Sequence, residues 1–261
     1  MDLGLQGRHA LVCGGSAGIG RAAAHALAAL GADVTLLARR EAALRDAVAS
    51  LPCVDGQRHG FLLADMGDAS GLCEATLALA TQQPVQILVN NTGGPPGGPA
   101  HAAASDAYLD AFRKHLIANQ TLLQAVLPGM RAAGWGRIVN VISTSVYEPI
   151  ANLGVSNTVR GAVASWAKTL SRELGGDGIT VNNVLPGYTR TQRLDQILAD
   201  RSKASGQSQD EVARSMLATV PAGRFAEPHE TGGVIAFLCS PAAAYVNGVS
   251  LAVDGGRMAS I

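Results

Sequence analysis

The sequence predicts an α/β fold, a doubly wound parallel sheet with helices on both faces, in one domain. Three observations carry that expectation. Short apolar runs alternate with longer helix-favouring stretches along the whole chain, which is the β-α-β-α order of a parallel sheet. Glycines are many, 31 in 261 residues, beside Ala-, Val- and Leu-rich stretches, while aromatics make up only 4%; this suits tight βα turns better than an all-β sandwich. No linker and no repeat at solenoid periods divides the chain.

Taken in order, residues 8–13 (RHALVC) read as a buried strand that runs into glycines. Residues 18–30 are Ala-rich and helix-favouring, and Gly31 stands where a helix is closed by glycine. A second strand at 33–38 and a second helix at 41–51 follow, then a strand ending at 60–64, a helix at 70–82 and a fourth strand at 86–90. In the second half, residues 107–130 form a long helical pattern, expected to break near its end at Pro128. Strands at 137–142 and 179–185 flank a helix at 155–174. Residues 192–220 are more polar and predict a mobile helical excursion, with Gly206 as a hinge, within a lid of about 190–225. A helix at 229–239 and a strand at 249–253 complete the chain.

Charge excludes several functions. Lys and Arg number 20 and so do Asp and Glu, so there is no basic surplus to release counterions from a nucleic acid. Hydrophobic residues at 48% and charged residues at 15% exclude disorder. No segment reaches the roughly 18 apolar residues of a membrane span, and residues 1–9 lack the pattern of a signal peptide. The cysteines, Cys13, Cys53, Cys73 and Cys239, are scattered without a C-x-x-C pair, and no second His follows His229-Glu230 at metal-binding spacing. Neither disulfide nor metal is expected, nor a nucleic-acid or membrane partner; the expected location is the cytoplasm.

The first βα junction carries the chemistry. It reads Cys13-Gly14-Gly15-Ser16-Ala17-Gly18-Ile19-Gly20, with the last glycines opening a helix. Glycines there make a tight turn and let a phosphate approach the N–H groups at the helix start. The spacing G-x-x-x-G-x-G resembles the first turn of the short-chain dehydrogenase/reductase family. The resemblance extends along the chain. Asn90-Asn91-Thr92-Gly93 is similar to the family's N-N-A-G, and Asp65 to the Asp that holds adenine, with Met66 beside it. Pro186-Gly187 followed by Thr189 and Thr191 is similar to the segment bordering nicotinamide and pyrophosphate, and Val253-Asp254-Gly255-Gly256 to a C-terminal V-D-G-G. The resemblance implies a dinucleotide cofactor held by Gly14, Ser16, Ala17, Gly18, Ile19, Gly20, Asn91 and Gly93. At the end of the second strand the sequence reads Ala38-Arg39-Arg40 with no acid, which favours NADP over NAD, although NAD remains possible.

At the catalytic end the family pattern is altered. The resemblance puts Ser143 at the carbonyl-orienting Ser, Ser156 at the catalytic Tyr, Arg160 at the Lys and His115 at a supporting Asn. Ser156 and Arg160 still share a helix face at i, i+4. A serine is a far poorer acid than a tyrosine of pKa about 10, and Arg is no proton relay. Tyr147, four residues after Ser143, is the first candidate for a replacement acid; His115 is the second, and Tyr188 also lies near the nicotinamide segment. The loop 93–99, rich in Gly and Pro, reads as a stiff wall beside the cofactor. The resemblance thus implies an NADP-dependent oxidoreductase acting on a small carbonyl or alcohol, similar to 3-oxoacyl-carrier-protein reductases, and a homotetramer. The lost Tyr and Lys keep open a dinucleotide-binding protein without turnover, or an isomerase or dehydratase on the same scaffold.

Overall fold

The computed structural model describes residues 1–54 and 56–260. Seven parallel strands form one sheet: β1 (His9–Cys13), β2 (Asp33–Ala38), β3 (Gly60–Leu63), β4 (Ile87–Asn90), β5 (Gly136–Val141), β6 (Ile179–Pro186) and β7 (Ser250–Val253). Their order is β3-β2-β1-β4-β5-β6-β7, so the chain leaves the β3 edge and restarts beside β1. The helices between them are α1 (Gly18–Ala29), α2 (Glu41–Ala49), α3 (Ala69–Gln82), α4 (Ser105–Phe112), α5 (Ala118–Ala132), α6 (Gly154–Leu174), α7 (Gln192–Ser205), α8 (Gln209–Leu217) and α9 (Pro228–Cys239). The expected doubly wound architecture is the one observed, with boundaries within about two residues at most elements.

Strand pleating sorts the core into two layers. Ala10 and Val12 of β1 pack with α1, α2 and α9, whereas Leu11 and Cys13 pack with α3, α5 and α6. Both faces are apolar because both are covered by helices. Gly232 lets α9 lie against α1, since a Cβ there would come within 2.7 Å of the Ala22 backbone.

Three expectations change. Residues 107–130 are not one α-helix. A π turn at Arg113–Ile117 joins α4 to α5, and this widened turn carries His115 into the interior. Pro128 does not break the helix, which continues to Ala132. It lies on the exposed face with Gln124, the residue whose carbonyl loses its intrahelical donor to the proline. The polar excursion divides into two helices. Gly206 caps α7 in the left-handed region at φ 73°, and Ser208 opens α8 with a reciprocal bond pair to Glu211. Leu194, Val212, Met216 and Phe225 give this helix pair a small core of its own.

An amide ladder crosses the carboxyl half of the sheet. Asn90 donates to Asn140 at 2.9 Å, Asn140 to Asn183 at 3.0 Å, and Asn183 to Ser250 at 3.0 Å, each between registered neighbours on β4, β5, β6 and β7. The three asparagines are buried.

Candidate active site

A cleft of about 1640 Å³ opens at the carboxyl ends of β1, β4, β5 and β6, beneath α7 and α8. This is the crevice that a reversal of strand order creates in an open α/β sheet. One wall is the glycine turn. Gly14 sits at φ 58° and Gly18 at φ 55°, conformations that L side chains rarely adopt. A Cβ on Gly20 would strike the Gly14 carbonyl and lie 2.7 Å from the Asn91 Nδ2. That amide in turn donates to the Cys13 carbonyl at 3.2 Å, tying the end of β4 to the turn. Helix α1 starts at Ala17 with no side-chain cap and no acid in its first turn. Among the described residues no side chain caps its first N–H groups, and Ala17, Gly18 and Ile19 line the cleft. Such a helix start fits a phosphate. Thr191 packs against Gly18, with its Cγ2 3.1 Å from where a Cβ would stand.

Gly14, Ser16, Asn91, Gly93, Pro186, Gly187 and Thr189 also line the cleft. Gly20, Arg39, Arg40, Asp65 and Met66 do not. Arg39 and Asp65 meet at 3.9 Å as an exposed pair beyond β2 and β3. Arg40 is exposed at the start of α2, and Met66 is buried in the core. The 93–99 loop is sewn to the start of α6: Gly98 N–H donates to the Asn152 carbonyl at 2.7 Å, and Gly154 N–H donates back to Gly98 at 3.0 Å.

The catalytic positions gather at the other end of the cleft. Ser143 follows β5, and its Oγ accepts the Ser145 N–H at 3.1 Å. Ser156 lies in the first turn of α6, with Arg160 one turn on; Ser143, Ser156 and Arg160 all line the cleft. The Arg160 guanidinium is buried and donates to the Val141 carbonyl at 2.9 Å and to the Thr92 carbonyl at 3.3 Å. Burial, and then the charge of Arg193, push its pKa down to about 10. His115 is buried behind the cleft rather than in it. Desolvation, then the charges of Arg160 and Lys114, push it down to about 3, so it is a neutral imidazole near pH 7. Tyr147 is 56% exposed and is not brought to the cleft. It closes a short turn, Thr144–Val146. Tyr188 does line the cleft, edge-on to Phe225 with ring centres 6.2 Å apart.

Three cleft residues have no local sequence signal. Thr144 follows Ser143, Arg193 opens α7, and Arg257 comes just after the Val253-Asp254-Gly255-Gly256 run. Arg193 donates to the Pro95 carbonyl at 2.9 Å and Arg257 to the Thr144 hydroxyl at 3.1 Å. Among the described residues no group of His, Cys, Asp and Glu is arranged to hold a metal, and no helix is long and apolar enough to cross a membrane.

Comparison with known proteins agrees with this geometry. Residues 14–257 match the family model described as enoyl-(acyl carrier protein) reductase. The 3-oxoacyl-[acyl-carrier-protein] reductase of Vibrio cholerae is 36% identical over 265 residues, covering 97% of this chain and 98% of the relative. A tropinone reductase homolog of Arabidopsis thaliana is 32% identical over 259 residues, covering 97% of this chain and 76% of the relative. The crystal structure of L-sorbose reductase from Gluconobacter frateurii, complexed with NADPH and L-sorbose, superposes with a TM-score of 0.93 at 31% identity, over 100% of both chains. With its glycine turn at the strand-order switch, its seven-stranded parallel sheet and these relatives along its whole length, the chain belongs to the short-chain dehydrogenase/reductase family of NAD(P)-dependent oxidoreductases.

Proposed function

We propose that this protein is an NADP-dependent oxidoreductase that interconverts a carbonyl compound and the corresponding alcohol. The observation that carries the reading is one continuous cleft, in which the uncapped start of α1 meets Ser143, Ser156 and Arg160. The residues present fit the dinucleotide. Gly14, Ser16, Ala17, Gly18, Ile19 and Gly20 would shape the diphosphate turn, and Asn91 and Gly93 would border the ribose. Asp65 and Met66 would lie by the adenine, with Arg39 and Arg40 toward a 2′-phosphate. Pro186, Gly187, Thr189 and Thr191 would border the nicotinamide, and Arg160 the adjoining ribose. When bound, the cofactor supplies hydride to the carbonyl carbon. The names of relatives, among them an L-sorbose reductase complexed with NADPH, support a carbonyl substrate, and the 3-oxoacyl reductases favour one similar to a 3-oxoacyl thioester.

The protein's own groups then have two tasks. Ser143 holds the carbonyl oxygen: its Oγ already accepts the Ser145 N–H, which leaves its proton to donate. One proton must also reach that oxygen as the alcohol forms. Ser156 is too weak an acid, Tyr147 lies outside the cleft, and His115 is held neutral by burial and by Arg160. Of the four tyrosines only Tyr188 lines the cleft, and the Arg257 guanidinium lies 4.8 Å from its ring centre. Tyr188 is therefore assigned as proton donor. We place the protein in the cytoplasm as a homotetramer, with α4, α5 and α6 paired across one two-fold axis and β7 across another.

The test is nicotinamide absorbance, with purified protein, NADPH and a panel of carbonyl compounds. Consumption of NADPH is expected, with NADPH bound more tightly than NADH. Arg39→Asp should reverse that preference, at a cost of about tenfold or more for NADPH. Tight NADPH binding without turnover of any carbonyl would sink the redox reading.

A further inference from the structure

The substrate end of the cleft holds arginines that form no close ion pair among the described residues, the nearest acid acting on Arg257 being Glu148. Arg160, Arg193 and Arg257 all line the cleft, and none takes part in any ion pair among the described residues. Their visible partners are neutral: two carbonyls for Arg160, the Pro95 carbonyl for Arg193, the Thr144 hydroxyl for Arg257. The carboxylates near Arg257 are occupied with backbone. Asp254 accepts from Gly256 N–H at 3.0 Å and Met258 N–H at 2.8 Å. Glu148 accepts from Ala259 N–H at 2.8 Å and Ser260 N–H at 2.7 Å. The one acidic residue on the cleft wall, Asp200, accepts from Gln196.

Arg257 is held in place from several sides. Left-handed turns at Gly255 and Gly256 bring the tail back, and the two carboxylates pin it. The guanidinium is then fixed over the Tyr188 ring with one nitrogen on Thr144, the neighbour of Ser143. Its Nε is buried with no partner in the protein. A planar fork with open donors matches an oxyanion. The diphosphate of the cofactor belongs to the start of α1, at the opposite end of the cleft, so it leaves Arg257 unanswered.

We propose that the substrate carries an anionic group, a carboxylate or a phosphate, and that Arg257 receives it while Ser143 holds the reacting carbonyl. Arg193 and Arg160, on the same cleft lining, add to its positive field. The proposal rests on the oxidoreductase reading for the carbonyl, and on the arginines alone for the anion. It adds to the carbonyl substrate a carboxylate or phosphate carried on the same molecule.

The test uses the whole protein and matched pairs of probes: acetoacetate and levulinate against their methyl esters, and dihydroxyacetone phosphate against dihydroxyacetone. With NADPH, KM for at least one anion should lie about ten- to a hundredfold below that of its neutral partner, the range expected for one charge-assisted contact. The tighter anion tells carboxylate from phosphate. Arg257→Gln should bring the ratio close to one, and Arg257→Lys should keep part of it, with NADPH affinity retained in both as evidence of folding. Calorimetry of the same probes on NADP⁺-loaded protein gives a readout without turnover. Anions that bind there in an Arg257-dependent way, with no NADPH consumed, would uphold the anion site and remove the oxidoreductase reading. Equal affinity for acid and ester, a ratio unchanged by Arg257→Gln, or no anion binding at all would overturn the proposal.

Discussion

His115 and Tyr188 show how neighbours reassign a residue's chemistry. Both are candidate acids by residue type, and position separates them. Tyr188→Phe removes the assigned proton donor and should cut turnover by about 10²–10⁴-fold, with NADPH affinity nearly unchanged. Tyr147→Phe should leave turnover within about twofold, because its phenol is outside the cleft. If steady-state kinetics give the opposite pattern, the donor assignment is wrong. His115 instead predicts a pH effect on stability. Its native pKa is pushed down to about 3 from an ordinary 6.5, so between those values the unfolded chain binds the extra proton. Stability must then fall as pH drops through that window, with a slope of up to about 1.4 kcal/mol per pH unit from this group. Burial pushes His9 in the same direction, so the informative comparison is with His115→Asn, whose urea midpoint should decline less steeply. Parallel declines in the two proteins would contradict the burial argument.

Among the elements, the asparagine ladder and the π turn matter most. The ladder occupies registered positions on β4, β5 and β6, where a one-residue slip would turn every amide to the other face. Asn140 both gives and receives, so Asn140→Leu leaves the Asn90 amide and the Asn183 carbonyl oxygen unpaired. Each such buried group costs about 1–3 kcal/mol, and thermal unfolding should show a loss of a few kcal/mol. A change under about 1 kcal/mol would mean that water replaces the bonds. The strands that carry the ladder are legible from their apolar runs, but its register is not, because pairing partners are 43 and 50 residues apart. The π turn is equally hidden: its residues are helical in composition, and the wider turn goes with the burial of His115, which depends on the surrounding fold.

For the whole molecule, the proposed tetramer locates the remaining apolar surface. Strand β7 is a sheet edge, and Leu251 on it is 39% exposed. On α6, Gly161 has open space where a Cβ would stand, as close helix pairing needs, whereas Ala167 is buried in the chain's own core and offers nothing to a partner. Light scattering at micromolar concentration should give a tetramer, and Leu251→Lys should reduce it to a dimer by placing a charge on the β7 contact. A monomeric parent protein would refute the assembly.

Composition and periodicity by themselves determined the layer order, the parallel sheet and the glycine turn, because each is written in local pattern: apolar runs, helix formers, and glycines just past a strand. The family resemblance places Ser143, Ser156 and Arg160 in one site, and helix spacing alone puts Ser156 and Arg160 on one face. Tertiary structure alone decided the rest. Tyr147 is four residues from Ser143 yet points away, while Arg257 is 114 residues distant and is held to Thr144 beside it. Charge balance is likewise a property of space: equal numbers of acids and bases along the chain say nothing about a cleft whose lining, among the described residues, holds five arginines and one acid. Coulomb interactions follow distance through the fold, and only the fold sets those distances.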